Sequence, residues 1–152
     1  NLFILLRMLT VMYAASSKGM GKEHTGFRVM TASAPILIVE DNIINMRLFS
    51  DLLVALGYTV YKAGDAEKAL ELLKEIRPGA IIMDIQLPGM SGVECTKAIR
   101  ANPALADIPI IAVTAFAMAG DEARFLKAGC DDYLSKPISV PVFVETVARH
   151  YR

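Results

Sequence analysis

The feature that most constrains the fold of this chain is the regular alternation of short apolar runs with longer segments of helical period. Runs such as Ile36–Val39 and Ala80–Met83 are apolar at every position, which is typical of strands buried on both faces of a parallel sheet. The segment Ile43–Leu56 instead places leucines at helical spacing and ends before Gly57, a residue type common just after helices. The pattern predicts an α/β protein.

The alternation continues from residue 35 to the last residue. The predicted strands are Ile36–Val39, Tyr58–Lys62, Ala80–Met83, Ile110–Val113 and Asp132–Ser135. A predicted helix follows each strand: Ile43–Leu56, a helix capped by Asp65 and closed by Pro78-Gly79, one from about Ser91 to Ala101, one ending near Gly129, and one capped by Ser139. Because crossovers between parallel strands are right-handed, we expect an open, doubly wound parallel sheet covered by helices on both faces.

The carboxyl ends of four predicted strands carry polar residues. They are Glu40 and Asp41, Asp84, Thr114, and Lys136. Ligands of open parallel sheets bind at this edge, close to the point where the strand order reverses. We therefore expect three carboxylates, a hydroxyl and an ammonium group to converge on one site.

The chemistry of this set predicts a metal-assisted phosphorylation site. Three neighbouring carboxylates repel each other unless a cation joins them, and hard oxygen ligands of this kind suit Mg²⁺. A nearby lysine and a threonine hydroxyl would stabilise the oxygens of an incoming phosphoryl group. Asp84, at the open end of its strand, is the candidate for the in-line nucleophile.

Each of these residues also has a simpler interpretation when it is taken alone. A single aspartate at a strand end is more often an N-cap or turn residue than a nucleophile, and Glu40 and Asp41 could cap the following helix. Thr114 could pair with a backbone group, and Lys136 could be a solvated surface charge. The convergence of four strand ends is what favours the functional interpretation.

Residues 1–34 differ in character from the rest of the chain. They begin apolar, become small and polar, and show no sustained period, so we expect an N-terminal extension outside the folded domain, which we place at residues 35–152. The apolar opening is interrupted by Arg7 and is shorter than the roughly 20 residues that span a bilayer. We expect no membrane association.

Charge and cysteine content exclude further classes of function. Lys plus Arg and Asp plus Glu both number 16, which leaves no basic surface of the kind that nucleic acid requires. The two cysteines and two histidines have none of the spacings of zinc ligands. We expect a reduced, cytoplasmic protein that does not bind nucleic acid directly.

Four motifs carry a resemblance to a known family. The stretches ILIVEDN, IIMDIQLPGMSG, VTAFA and YLSKP resemble the four signatures of bacterial two-component response-regulator receiver domains, and the resemblance covers residues 35–152. It implies a flavodoxin-like (βα)5 fold with strand order 2-1-3-4-5. Other stretches, including MRLFSDLL and TAFAMAGDE, are similar to the single-domain members that act in cell division.

The resemblance also assigns roles to individual residues. It implies a phosphoacceptor at Asp84, with Mg²⁺ held by Glu40, Asp41, Asp84 and the backbone carbonyl of Gln86. It further implies that Thr114 and Tyr133 form a switch pair and that Lys136 is the charged partner of the site. Two positions, Gln86 and Phe116, are expected to tune the phosphoryl lifetime. The Lys136–Pro137 peptide bond is expected to be cis.

The implied partners are a sensor histidine kinase or a histidine phosphotransfer protein, which would donate the phosphoryl group. We expect no enzymatic activity beyond self-catalysed phosphotransfer and autodephosphorylation. Because no effector sequence follows the last predicted helix, we expect the output to be a contact with another protein. We place that contact on the helix from about Ala119 to Ala128, the strand Asp132–Ser135 and the final helix, where Thr114 and Tyr133 could transmit the change.

Three other functions fit parts of the sequence. A magnesium-dependent phosphatase with an aspartate nucleophile would carry a second aspartate two residues later, where this chain has Gln86. A flavin-binding module would need a Ser/Thr/Gly-rich phosphate loop after the first strand, and Asn42–Asn45 offers none. An interaction module that has lost phosphorylation is the remaining alternative, which the complete set of site residues argues against.

Overall fold

Strands and helices alternate through the described part of the chain, residues 33–115 and 118–152 of a computed structural model. The strands are β1 (Ile36–Val39), β2 (Val60–Ala63), β3 (Ala80–Asp84), β4 (Ile110–Thr114) and β5 (Asp132–Ser135). The helices are α1 (Ile43–Ala55), α2 (Ala66–Leu72), α3 (Gly92–Ala101), α4 (Asp121–Ala128) and α5 (Val140–His150). The predicted α/β organisation is confirmed.

The strands form one parallel sheet in the order β2-β1-β3-β4-β5. The order implied by the family resemblance is therefore confirmed. Val39 of β1 pairs with Met83 of β3, and Thr114 of β4 pairs with Ser135 of β5, so the carboxyl ends of these strands meet at one edge. The order reverses between β1 and β3, which places the expected binding edge beside Asp84.

Helices cover both faces of the sheet. On one face, α2, α3 and α4 pack on a cluster that includes Leu37, Met83, Ile99, Ala112 and Phe125. On the other face, α1 and α5 meet through Phe49 and Phe143, whose rings stack with centroids 5.2 Å apart. Every residue of β1, β3 and β4 is buried, as the apolar runs predict for central strands.

Local capping explains where the helices begin. The side chain of Asn42 accepts hydrogen bonds from the Ile44 and Asn45 N–H groups, and Asp65 caps α2 as predicted. Ser91 and Glu94 form a capping box at the start of α3. The prediction for Ser139 is only half right: it occupies the N-cap position of α5, but its side chain makes no capping hydrogen bond.

Some predicted boundaries are wrong by a few residues. β2 begins at Val60 rather than Tyr58, and β3 and β4 each extend one residue further, to Asp84 and Thr114. Helix α2 ends at Leu72, well before Pro78, because the chain leaves the helical path in a turn before it enters β3. The extension of β3 and β4 matters for function, since it makes two of the polar residues members of the sheet itself.

The boundary between an N-terminal extension and a folded domain remains a prediction. Nearly all of residues 1–34 lie outside the described part of the chain. The described residues belong to one compact unit that ends at Arg152. No helix within them is sufficiently long and apolar to span a membrane.

Candidate functional site

Asp84 is the last residue of β3 and is almost completely buried, with 2% of its surface exposed. A buried carboxylate is costly unless other groups compensate for its lost hydration. One compensating group is the backbone N–H of Gln86, which donates a hydrogen bond of 3.0 Å to Asp84 Oδ1. The prediction that Asp84 lies at the carboxyl end of its strand is confirmed, but its side chain is buried rather than open to solvent.

Two further carboxylates lie beside Asp84. One carboxylate oxygen from each of Glu40, Asp41 and Asp84 lies within 4.8 Å of the other two. Glu40 is buried and accepts a hydrogen bond from the Asn42 N–H, whereas Asp41 is exposed. The cluster therefore has two buried members and one that faces solvent.

Lys136 bridges the two buried carboxylates. Its Nζ lies 2.9 Å from Glu40 Oε2 and 3.3 Å from Asp84 Oδ2, and only 18% of its side chain is exposed. Three carboxylates and one ammonium group leave a formal charge of −2 (−3 plus +1) on the cluster. A divalent cation would neutralise this remainder.

The proton affinities in this cluster reflect burial opposed by ion pairing. Burial raises the pKa of Glu40, and the hydrogen bonds from Lys136 and the Asn42 N–H oppose that rise without cancelling it. Burial lowers the pKa of Lys136, but Glu40 and Asp84 outweigh this and leave its pKa above the ordinary value. The ammonium group is therefore held charged at neutral pH.

Thr114 and Lys136 are brought together by the pairing of β4 with β5. Thr114 is buried as the last residue of β4, and its carbonyl accepts a 2.7 Å hydrogen bond from the Lys136 N–H. The Lys136–Pro137 bond is cis, as predicted. The turn after β5 thus places the lysine side chain over the ends of β1 and β3.

Tyr133 lies on the same face of the sheet as Thr114. It pairs in register with Ala112, two residues before Thr114, and side chains two apart on a strand share a face. Its ring is partly buried, with its centroid 6.4 Å from that of Phe125 in α4. Tyr133 also borders a surface cavity of about 240 Å³ together with residues 118–122.

One of the two positions expected to tune the phosphoryl lifetime lies within the described residues. The Gln86 side chain is exposed beside Asp84. Phe116 lies outside the described residues. Near the site, Met83 is fully buried, whereas Met118 is 74% exposed in the loop before α4.

Sequence reasoning missed two contacts of the site. It assigned Lys136 to an incoming phosphoryl group and did not anticipate that Lys136 bridges Glu40 and Asp84. It also missed the Gln86 N–H that supports Asp84, although an aspartate just before a turn commonly accepts such a bond. The first contact joins residues 96 apart in sequence and has no local signal.

Comparison with known proteins identifies the family. Residues 36–148 match the response regulator receiver domain family. The chain is 54% identical over 112 residues to the polar-differentiation response regulator DivK of Brucella anthropi, covering 74% of this chain and 91% of that relative.

Solved structures with the same fold include receiver domains from other organisms. The receiver domain of a Pseudomonas aeruginosa sensor histidine kinase, with magnesium coordinated in its active site cleft, is 38% identical, with a TM-score of 0.72 over 78% of this chain and 98% of that chain. The receiver domain of the Saccharomyces cerevisiae response regulator Ssk1, crystallised with the histidine phosphotransfer protein Ypd1, is 29% identical. Its TM-score is 0.72 over 79% of this chain and 90% of that chain. By fold, by site composition and by sequence, the chain belongs to the response regulator receiver domain family.

Proposed function

We propose that this protein is a DivK-like response regulator of a two-component phosphorelay, phosphorylated on Asp84. The observation that carries the proposal is the cluster at the carboxyl edge of the sheet. There Lys136 contacts both Glu40 and Asp84, and the exposed Asp41 completes the acidic group. Buried charges gathered at a ligand-binding edge are expensive to maintain, which favours a chemical role over a structural one.

The residues present fit a magnesium ion. The proposed ligands are oxygen atoms of Glu40, Asp41 and Asp84 with the backbone carbonyl of Gln86, and waters would complete the shell. When bound, Mg²⁺ would neutralise charge on the transferring phosphoryl group. The formal charge of −2 on the cluster matches the ion, and its hard oxygen donors match the preference of Mg²⁺.

The proposed reaction transfers a phosphoryl group from a phosphohistidine donor. A carboxylate oxygen of Asp84 attacks phosphorus, an O–P bond forms, and the N–P bond to the donor imidazole breaks. The electron pair of that bond stays with the imidazole nitrogen. Lys136, already within hydrogen-bonding distance of Asp84, would pair with a phosphoryl oxygen, and the Thr114 hydroxyl would donate to another.

The proposed output is a change at the surface formed by α4, β5 and α5. If the Thr114 hydroxyl moves toward the phosphoryl oxygens, it leaves space on its face of the sheet that Tyr133 can enter. The inward movement of Tyr133 would reshape the neighbouring 240 Å³ cavity. The phosphoryl group would then stabilise the same state as a protein partner that prefers the inward Tyr133. Each therefore strengthens the binding of the other.

The expected upstream partner is a sensor histidine kinase or a histidine phosphotransfer protein. The complex of the Ssk1 receiver domain with Ypd1 supports a partner of the second kind. The likeness to DivK supports a role in cell division and polarity. We place the protein in the cytoplasm. We also propose that residues 35–152 form the folded receiver domain, and that Gln86 and Phe116 tune the phosphoryl lifetime.

Labelling with acetyl phosphate tests the proposal directly. In the presence of Mg²⁺, the parent protein should gain one acyl phosphate, detected by intact mass and by conversion to a hydroxamate. Asp84→Asn and treatment with EDTA should each abolish it. Asp107→Asn, which changes an exposed carboxylate paired with Arg77, should be labelled like the parent.

Two results would contradict the proposal. Labelling of the Asp84→Asn protein at the parent rate would mean that another residue is the acceptor. Absence of labelling in the parent, by acetyl phosphate and by a phosphohistidine donor alike, would favour an interaction module that has lost phosphorylation.

A further inference from the structure

Gly92, the first residue of α3, has no conformational reason to be glycine. Its φ is not among the positive values that the structure has at Gly57, Gly89, Gly120 and Gly129. Glycine within a helix costs about 0.5 to 1 kcal/mol relative to alanine, so helix preference alone would favour alanine here. The Ser91–Glu94 capping box already starts the helix without any contribution from Gly92. The reason for glycine must be sought in its neighbours.

Those neighbours are the backbone of the proposed phosphoacceptor. A Cβ on Gly92 would collide with the carbonyl oxygen of Asp84, and would lie 2.9 Å from the Asp84 carbonyl carbon and 2.7 Å from the Ile85 Cα. Carbon atoms in good contact lie about 3.5 to 4.0 Å apart, so a methyl group requires a shift of about 1 Å. The atoms in the way belong to the main chain, which has no rotamer through which to yield.

The contact between α3 and the end of β3 is fixed from several sides. The Gly92 N–H donates to the Ile85 carbonyl at 3.0 Å, and the Ile85 N–H donates to the Val113 carbonyl at 3.0 Å. The fully buried Thr96 donates its hydroxyl to the Gly92 carbonyl at 2.8 Å. A displaced helix would therefore strain several hydrogen bonds at once.

A shift of about 1 Å at Asp84 matters because its carboxylate works at hydrogen-bonding distances. Asp84 Oδ2 lies 3.3 Å from Lys136 Nζ, and Oδ1 accepts from the Gln86 N–H at 3.0 Å. A misplacement of about 1 Å at a reacting group can reduce a rate by about 100-fold. The same displacement would disturb the grouping of Asp84 with Glu40 and Asp41.

We propose that Gly92 is a positioning residue for Asp84. Because Gly92 has no side chain, the first turn of α3 packs directly on the Asp84–Ile85 backbone. This contact holds the Asp84 carboxylate at its distances from Lys136, Glu40 and Asp41. The inference rests on the proposed function of Asp84 as phosphoacceptor, but its effect on the acidic cluster can be measured without phosphorylation.

The test compares Gly92→Ala with two matched glycine variants. Gly79→Ala introduces a comparable collision at the opposite edge of the sheet, where a Cβ would lie 2.6 Å from the Tyr151 ring. Gly64→Ala introduces a methyl group with nothing within 4 Å. For each protein, calorimetry gives the Mg²⁺ dissociation constant, acetyl phosphate labelling at saturating Mg²⁺ gives the rate, and circular dichroism gives the thermal midpoint.

The expected result separates positioning from stability. Gly92→Ala should raise the Mg²⁺ dissociation constant at least fivefold and reduce the labelling rate by about 100-fold. Gly79→Ala should lower the thermal midpoint while its Mg²⁺ dissociation constant and labelling rate stay within twofold of the parent. Gly64→Ala should change none of the three. A folded Gly92→Ala protein with parent-like Mg²⁺ binding and labelling would overturn the proposal.

Two further proteins make the outcome decisive. If Gly92 acts through Asp84, then adding Gly92→Ala to Asp84→Asn should change Mg²⁺ binding by a smaller factor than it does in the parent, and an equal change in both backgrounds would overturn the proposal. If Gly92→Ala does not fold, Thr96→Val removes the bond to the Gly92 carbonyl with little change of shape, and parent-like Mg²⁺ binding in that variant would overturn it. A parent that binds Mg²⁺ but is never labelled would instead refute the proposed function alone.

Discussion

At the scale of single residues, Lys136 has the most consequential position. It is the cation that neutralises part of the charge on Glu40 and Asp84, and it is also the group proposed to receive a phosphoryl oxygen. The ammonium group also competes with a divalent ion for the oxygen atoms of these carboxylates, because the two cations repel each other. The competition determines the sign of the first prediction.

We expect Lys136→Ala to bind Mg²⁺ more tightly than the parent and to be phosphorylated more slowly. Removal of the ammonium changes the formal charge of the cluster from −2 to −3, which increases its attraction for a divalent ion. We expect the dissociation constant to fall by up to about tenfold, which corresponds to about 1.4 kcal/mol. Calorimetry and acetyl phosphate labelling measure the two effects, and weaker Mg²⁺ binding in the variant would contradict this account.

Thr114 supports a prediction about coupling. Thr114→Ala should still accept a phosphoryl group at Asp84, because the nucleophile and its carboxylate neighbours remain. It should lose most of the phosphorylation-dependent gain in partner affinity, which for such couplings is about 1 to 3 kcal/mol. Titration of a cognate kinase with the parent and the variant, each with and without a phosphoryl mimic, measures the coupling. Equal coupling in the two proteins would rule out a switch through Thr114.

At the scale of elements, an ion-pair group joins β5 to the end of α5. Asp132, the first residue of β5, accepts one hydrogen bond from Arg149 Nη2 and pairs with His150 Nε2, both at 2.8 Å. Both residues lie in the last turn of α5, where the positive charge of Arg149 also interacts favourably with the helix dipole. Since β5 and α5 form part of the proposed output surface, this group fixes one edge of that surface.

The pH dependence of this connection can be predicted in sign. Burial raises the pKa of Asp132, but hydrogen bonds from His150, the Tyr133 N–H and Arg149 together lower it by more, so the net shift of the pKa is downward. A carboxyl whose pKa is lower in the folded state stabilises the fold above its unfolded pKa of about 3.9, and this stability is lost as the pH falls through the folded value.

Asp132→Asn should therefore reduce the free energy of unfolding at pH 7 by about 1 kcal/mol. The difference from the parent should persist to about pH 5 and shrink below about pH 4. Urea denaturation at several pH values measures it, with Asp51→Asn as a control for loss of an exposed carboxylate paired with Arg47. A difference that is constant down to pH 3 would show that the Asp132 charge is not the cause.

At the scale of the whole molecule, the sheet divides the interior into two layers, and both cysteines lie in the layer under α2, α3 and α4. Cys95 is completely buried and Cys130 is 5% exposed. Burial raises the pKa of the Cys95 thiol to about 12, and burial also raises the pKa of Cys130. Both thiols therefore lack access to solvent and the thiolate form that reacts.

We expect neither cysteine to react with a thiol reagent at pH 8 while the protein is folded. Both should react when urea unfolds the chain, so the labelling rate should report the opening of the core. Mass spectrometry of pulse-labelled samples counts the modified thiols at each urea concentration. Rapid modification of either cysteine without denaturant would mean that this layer opens locally.

The domain boundary supports the final prediction. Because residues 1–30 show no capped periodic segment in sequence, their deletion should leave the unfolding midpoint and the acetyl phosphate labelling rate nearly unchanged. Thermal unfolding of the full chain and the shortened chain measures this. A loss of stability above about 2 kcal/mol, the size of a serious core defect, would place part of the N-terminal region within the folded domain.

The sequence by itself determined the order of strands and helices, the burial of the central strands and the polar residues at the carboxyl edge. These features are local: periods of 2 or 3.6 residues, caps and turn residues act over a few positions and can be read directly. The neighbour order of the strands came from the family resemblance, because periodicity states that a strand exists and not which strand lies beside it.

Only the tertiary structure decided how the site residues touch. The bridge from Lys136 to Glu40 and Asp84, the partial burial of Tyr133 and the contact of Gly92 with the Asp84 backbone all join segments that are separate in sequence. Such contacts depend on where each crossover returns the chain to the sheet. A shift of about 1 Å there would leave every local pattern intact and would still change whether a carboxylate, an ammonium group and an ion can meet.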